Sequence, residues 1–568
     1  MPQNFNNKNT ADDYVHILED VARDAEGIVN KLSACKGGLS DEEKEAQREA
    51  RWRKFFTKMV SFTVLGISAT LAAWEFVNFL YERYEIQKEA DEYYEVAQSV
   101  FLEENNPEVA TVFLDKALNL DADFEYRFFK TYIEGLGIVR TLFNLDRPYS
   151  KKELDSAHML VAEAKLMKTV EPDREEPYIL SGQLYAALGE PEKALLELEK
   201  AIKINPKNSY AHLRYGVALF GVKKNNEAKK EFDIALSIDD SKWAYLWHGV
   251  IEAETSKDFD KARSFYQKAL DKDPKFDLAL YNLAWSYMLQ KQRDYPKAKE
   301  HLEQALKINP DYKEAYYAMG MLYGYQDRYE IGKVYMSKAI EKDQEYTTAY
   351  KWRAIMQSEM KQYNEAIEDF TAAINISPEN IDLYARRAGV YQKQQKVEQA
   401  IADLRYALEI NPDNKRTLQY LANLYRDAGQ TQNAFDYYTK ALLIDKANED
   451  LFAERAILYK KIGDTQKALE DLNEAIAISR YKPERHIFKR ALLHEEMKNI
   501  DLAIKDYQDV VEKDKNNAEA WWKLFVLQKN RNIAIAYEAL KRYLELKPQD
   551  AVALNIRNKI NKKGNRIN

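Results

Sequence analysis

The side chains equipped for chemistry are sparse and badly spaced. His494-Glu495-Glu496-Met497-Lys498 opens like the helix of a zinc protease, where two histidines four residues apart hold the metal and a glutamate activates water. Lys498 stands where the second histidine is needed, and a lysine ammonium has no lone pair to offer a metal. Gly135-Leu136-Gly137 lacks a third glycine and has no strand before it, so it is not a phosphate-cradling loop. His16, His158, His212, His248, His301, His486 and His494 are scattered without metal-ligand spacing. Cys35 is the only cysteine, which excludes an intrachain disulfide, and it has no evident base. The carboxylates stand four residues from lysines on solvated helix faces, which is ordinary helix support. The expectation is no enzyme, no cofactor and no metal.

What remains is a capacity to recognise, and repeated elements must position it. Three units between Ala349 and Asp450 align at a period of 34. A small residue comes early (Ala354, Ala388, Ala422), an alanine near the middle (Ala366, Ala400, Ala434) and another seven on (Ala373, Ala407, Ala441). Pro378 and Pro412 close the first two units, because the ring cannot continue a helix. Each half-unit has apolar residues three and four apart, so each is a helix with one buried stripe. Two short helices cannot bury that stripe alone, so neighbours must stack. A charged fraction of 31% against 46% hydrophobic is the balance of a soluble helical array, and the net charge of −7 argues against a general nucleic-acid binder.

The mid-unit residue recurs at Ala194, Ala228, Ala262, Ala298, Gly332, Ala366, Ala400, Ala434, Ala468, Ala503 and Ala536. That places regular units over residues 177–552. Ala97, Ala110 and Ala117, then Ala157 and Ala164, suggest two divergent units within residues 82–176. The early small position becomes Arg490 and Phe525 in the last two units. Residues 553–568 read as a capping helix with a basic tail.

The period, the small–x–x–Tyr of the first helix (Ala388 and Tyr391, Ala422 and Tyr425), the Ala-x6-Ala of the second and the closing Asn-Pro or Ser-Pro resemble the tetratricopeptide repeat family. The resemblance implies an all-α, right-handed superhelical solenoid of about 13 helix–turn–helix repeats. It also implies a concave groove lined by the first helices. Carried onto this chain, the groove positions include Leu213, Phe220, Tyr281, Trp285, Met288, Tyr317, Met321 and Tyr325, an apolar and aromatic surface suited to an extended peptide or an amphipathic helix. The alternative is that these residues pack between units. From Ala349 on the positions turn polar: Lys351, Glu359, Gln392, Lys393, Gln419, Asn423, Arg426, Asp427, Lys460 and Lys461. Members that grip a C-terminal carboxylate carry Lys-x-x-x-Asn on a first helix. Here Ile355 follows Lys351 and Gln419 precedes Asn423, so docking of cytosolic chaperones is not expected.

Ahead of the repeats lies a segment of another kind. Residues 59–81, MVSFTVLGISATLAAWEFVNFLY, carry one charge, Glu75, and as a helix span roughly 35 Å, enough for a bilayer core. A transmembrane helix is the expectation. Glu75 lies near the exit, within reach of the interface. Lys44, Arg48, Arg51, Arg53, Lys54 and Lys58 precede the segment, whereas only Arg83 and Lys88 follow closely. The positive-inside rule then leaves residues 1–58 in the cytoplasm and places the array across the membrane, in the periplasm of a double-membraned bacterium. A cytoplasm-facing array is the alternative. Protein partners are expected, with the membrane contacted through residues 59–81; self-association is left open.

Overall fold

The computed structural model describes residues 67–102, 107–121, 123–144 and 149–564. Residues 1–58, the first part of the apolar segment 59–81 and the terminal Arg566 lie outside them. Among the described residues there are helices and no strands. They fall into two compact units, the second comprising the residues after Pro206 together with Asn144–Lys151. The first holds α1 (Ile67–Leu102), α2 (Pro107–Leu120), α3 (Phe124–Asn144), α4 (Lys151–Val170), α5 (Glu176–Ala187) and α6 (Pro191–Ile204). The second is a run of hairpins: α7 (Ser209–Gly221) with α8 (Asn225–Ile238), α9 (Lys242–Ile251) with α10 (Phe259–Lys272), α11 (Asp277–Leu289) with α12 (Tyr295–Ile308), and α13 (Lys313–Gly324) with α14 (Tyr329–Lys342). It continues with α15 (Thr347–Glu359) and α16 (Tyr363–Ile376), α17 (Ile381–Lys393) and α18 (Val397–Ile410), and α19 (Lys415–Asp427) and α20 (Thr431–Ile444). It ends with α21 (Glu449–Lys461) and α22 (Thr465–Ile478), α23 (Glu484–Glu496) and α24 (Ile500–Lys513), α25 (Ala518–Gln528) and α26 (Ile533–Leu546), and α27 (Ala551–Gly564).

α1 runs unbroken through Tyr81, because nothing from Ile67 to Leu102 is Gly or Pro. The later part of the apolar segment and the first divergent repeat therefore share one helix. No helix among the described residues is long and apolar enough to cross a membrane. The divergent alanines are core: Ala97, Ala110, Ala117, Ala157 and Ala164 are all fully buried.

The unit boundary has a simple local cause. A proline closes the second helix, and two residues later an asparagine caps the next first helix. Asn208, Asn380 and Asn414 follow Pro206, Pro378 and Pro412 in this way, each side chain accepting a free backbone N–H of the new helix. In most hairpins the turn uses one left-handed residue. Gly189, Gly429 and Gly463 supply it without cost, whereas Lys361 and Gln395 adopt it with a side chain.

Close helix approach depends on the early small residue. A Cβ on Gly249 would stand 2.3 Å from Cε1 of the buried Tyr266, and one on Gly216 2.4 Å from Cε1 of Phe232. In α23 that position belongs to Ala491, which is fully buried, and not to Arg490. The sequence reading was one residue out of register there, because the loop before α23 is longer. Arg490 belongs to another series.

That series ties hairpin to hairpin. Arg353, Arg387, Arg455 and Arg490 each donate two bonds, from Nε and Nη2, to both carboxylate oxygens of an aspartate sixteen residues on: Asp369, Asp403, Asp471 and Asp506. All eight distances lie between 2.6 and 2.9 Å. The remaining Nη1 reaches back to the preceding second helix, to Ser337, Thr371, Thr439 or Asn473. Each aspartate is buried. A planar guanidinium matches a carboxylate at two points, so these pairs fix orientation as well as distance.

Candidate functional site

The first helices of the second unit carry a chain of aromatic rings. Tyr281 and Trp285, one turn apart on α11, have centroids 6.2 Å apart. Tyr281 meets Tyr312 at 5.6 Å, Trp285 meets Tyr317 of α13 at 6.2 Å, and Tyr317 meets Tyr346 at 5.9 Å. Tyr281, Trp285, Tyr312 and Tyr317 are half-buried. The helical repeat makes this continuity, since residues one turn apart and one unit apart fall on the same face. Tyr325 extends the strip at the end of α13, with Arg293 5.2 Å over its ring and its carbonyl accepting from the Tyr295 hydroxyl. Phe220 lies apart, 6.2 Å from Trp247. Burial pushes the Tyr281 hydroxyl up to about 12 and that of Tyr312 higher still, so both stay protonated hydrogen-bond donors.

Leu213, Met288 and Met321 sit elsewhere: all three are buried in the core. For them packing between helices wins over exposure. Met321 and Met356 lie under Trp285, Tyr317 and Tyr325, so the rings rest on flexible thioether side chains that can adjust to what lies above. The groove positions that reach the surface are therefore Phe220, Tyr281, Trp285, Tyr317 and Tyr325, with Tyr312 added from the cap of α13. Its signal was the Asn309-Pro310 that closes the preceding unit and places Tyr312 just before the helix.

From α15 on, the corresponding face is polar and largely occupied with itself. Lys393 pairs with Glu359 at 3.1 Å, Arg426 with Glu454, Lys460 with Glu496 at 2.6 Å and Lys523 with Glu495 at 3.1 Å, each across neighbouring hairpins. The Tyr420 hydroxyl donates to Gln392 at 2.9 Å. A ligand there would have to replace these contacts.

One further cluster of titratable groups is structural. Gly249 and Ala262 are 13 residues apart, where Gly216 and Ala228 are 12 apart, and the extra residue widens the end of α9 into a π turn at Glu252–Ser256. This turns Glu252 inward, where it is 3% exposed. Burial opposes its charge, but bonds from Lys229 and Lys261, both 2.8 Å, and from Ser256 outweigh burial and hold the carboxyl at about 2. His248 beside it stacks 4.9 Å from Phe265, and burial lowers its pKa. A carboxyl depressed from 4.5 stabilises the fold above its unfolded pKa and loses that contribution as pH falls towards 2. Glu252→Gln is expected to lower the opening free energy of α9 and α10 by about 3 kcal/mol at pH 7. The deficit should shrink steadily below pH about 4.5, read by hydrogen exchange of those helices. A deficit that is constant with pH would contradict the assignment.

Models of the tetratricopeptide repeat match residues 175–208, 243–275, 265–300, 349–380, 386–450 and 487–517. The chain carries tetratricopeptide repeats. The tetratricopeptide fold is an all-helical solenoid, and the matched segments include α11, which bears Tyr281 and Trp285. A curated relative, anaphase-promoting complex subunit 3 of Schizosaccharomyces pombe, is 28% identical over 125 residues, which is 22% of this chain and 19% of that protein's length. Among solved structures, the human IFIT1 dimer with PPP-AAAA is 17% identical, covering 72% of this chain and 99% of that one, with a TM-score of 0.37. Yeast Tom70 is 16% identical, covering 76% and 99%, with a TM-score of 0.36. A tetratricopeptide protein from Parabacteroides merdae is 20% identical, covering 44% and 98%, with a TM-score of 0.35.

Proposed function

We propose that this protein is a membrane-anchored scaffold whose tetratricopeptide repeats hold partner proteins by a peptide or short helix laid over the first-helix face. The observation that carries the reading is the partly exposed aromatic strip Tyr281–Trp285–Tyr317 over a methionine floor. Large, rigid rings give contact area at low entropic cost, and they supply most hot spots of protein interfaces. A long array can hold several such segments at once, so each docked partner raises the local concentration of the next, which suits assembly of a membrane or envelope complex. Replacing Trp285 and Tyr317 is the test of the strip.

The anchor is residues 59–81, and the basic residues before it orient the repeats away from the cytoplasm. An alkaline phosphatase fused after Asn568 should then be active, because the enzyme matures only after export. A green fluorescent fusion at the same site should stay dark. The reverse outcome favours the second reading, a cytoplasm-facing adaptor or targeting receptor. The likeness over 125 residues to a protein named as a subunit of a multiprotein complex favours that reading.

A further inference from the structure

The series of arginine–aspartate pairs is broken once. At the positions one period beyond Arg387 and Asp403 stand Leu421 and Tyr437, and Tyr437 stacks on Tyr425 at 5.5 Å instead of accepting a guanidinium. The third position of the series, filled elsewhere by Ser337, Thr371, Thr439 or Asn473, is here Arg405. Leu421 offers it nothing to bond. The hairpin of α19 and α20 has thus lost both members of the pair, and an arginine of α18 stands where its neighbours carry a small polar side chain.

A 480 Å³ cavity opens at this break, between the second helices α18 and α20. That volume is in the range of sites that take a small ligand or a few side chains. Leu408, Leu418 and Leu443 give it an apolar wall. Arg405, Tyr437 and Lys440 also line it; Lys440 lies 5.1 Å over the Tyr437 ring, and neither cation has an ion pair among the described residues. Glu409, one turn along α18 from Arg405, and Asp413 complete the polar part of the lining. Leu443, in the same lining, is 69% exposed, a large aliphatic side chain left in water.

We propose that this cavity docks a partner peptide carrying a single acidic side chain next to an aliphatic one. The carboxylate pairs with Arg405 and Lys440 through charge-assisted hydrogen bonds. The aliphatic side chain lies on Leu408, Leu418 and Leu443. Glu409 and Asp413 in the same lining repel a second acid, so a polyacidic tract is disfavoured. This surface is formed mainly by second helices, with Leu418 from α19, and is separate from the aromatic strip of α11 and α13.

The test is selection from a displayed library of random 12-residue peptides on the full chain, followed by titration of the enriched peptides. They should share an acidic residue beside Leu, Ile, Val or Met, and bind at least tenfold more weakly to Arg405→Glu and to Leu443→Asp. Peptides that bind Trp285→Leu more weakly are ligands of the aromatic strip and are set aside from all outcomes. Arg405 and Leu443 are exposed, so both variants should keep the wild-type circular dichroism and melting curve. Enriched peptides that lack an acid, or that bind Arg405→Glu as tightly as wild type, would overturn the proposal, as would no enrichment. Self-association of the chain that Arg405→Glu abolishes would also overturn it, by making a second copy the occupant.

Discussion

Arg387→Ala is expected to lower the opening free energy of α17 and α18 by about 3 kcal/mol, because it strands the buried Asp403 without its partner. Asp403 is 8% exposed and accepts from Arg387 at 2.7 and 2.8 Å. The guanidinium also holds Thr371 at 2.8 Å, so the damage should spread to the preceding hairpin. The cost is that of an uncompensated charge, not the worth of the pair, and this distinction can be measured. The chain itself replaces the pair at Leu421 and Tyr437 with apolar and aromatic packing. Arg387→Leu with Asp403→Tyr copies that solution: Tyr391 stands one turn along the helix from position 387, as Tyr425 does from Leu421. Replacing both partners of a buried pair by packed residues is often neutral or stabilising. The double variant should therefore recover most of what Arg387→Ala loses, measured by hydrogen exchange of α16 to α18. A double variant as unstable as the single one would mean that the carboxylate bonds themselves hold the hairpin.

The repeat architecture was legible because its signals are compositional and periodic. A small residue, two alanines and a proline recur wherever helices approach closely or must stop. The arginine–aspartate series was equally periodic, sixteen residues within a unit and about one unit between pairs, but a charged residue at helical spacing reads as a solvated face. Only burial distinguishes Arg387, gripping Asp403, from Arg386, which pairs with Asp382 on the surface. The register slip at Arg490 has the same origin: one extra loop residue moved the frame, and nothing in the local pattern flagged it.

The groove was legible in part. Position along a first helix gave the face, which is why Tyr281, Trp285 and Tyr317 fall together. Depth was not legible. Met288 and Met321 share the spacing of those rings, but slim unbranched side chains sink between helices where broad rings cannot. The polar half was seen as a different surface, and the pairing of Lys393 with Glu359 and of Lys460 with Glu496 explains why it offers less to a partner.

The second large effect falls on that aromatic strip. Trp285→Leu and Tyr317→Leu keep apolar bulk over Met321 while removing the rings, so the array should keep its helicity and melting curve. Central aromatic anchors cost about 2 kcal/mol or more each when truncated, so partner affinity should fall roughly 30-fold for either change. The most direct measurement is site-specific photo-cross-linking in native membranes, with a benzoylphenylalanine placed in turn at Tyr317 and at Lys393. The scaffold account predicts protein adducts from position 317 that disappear in the Trp285→Leu background, with few or none from position 393. Adducts that form equally from both positions, or that survive the loss of Trp285, would contradict it.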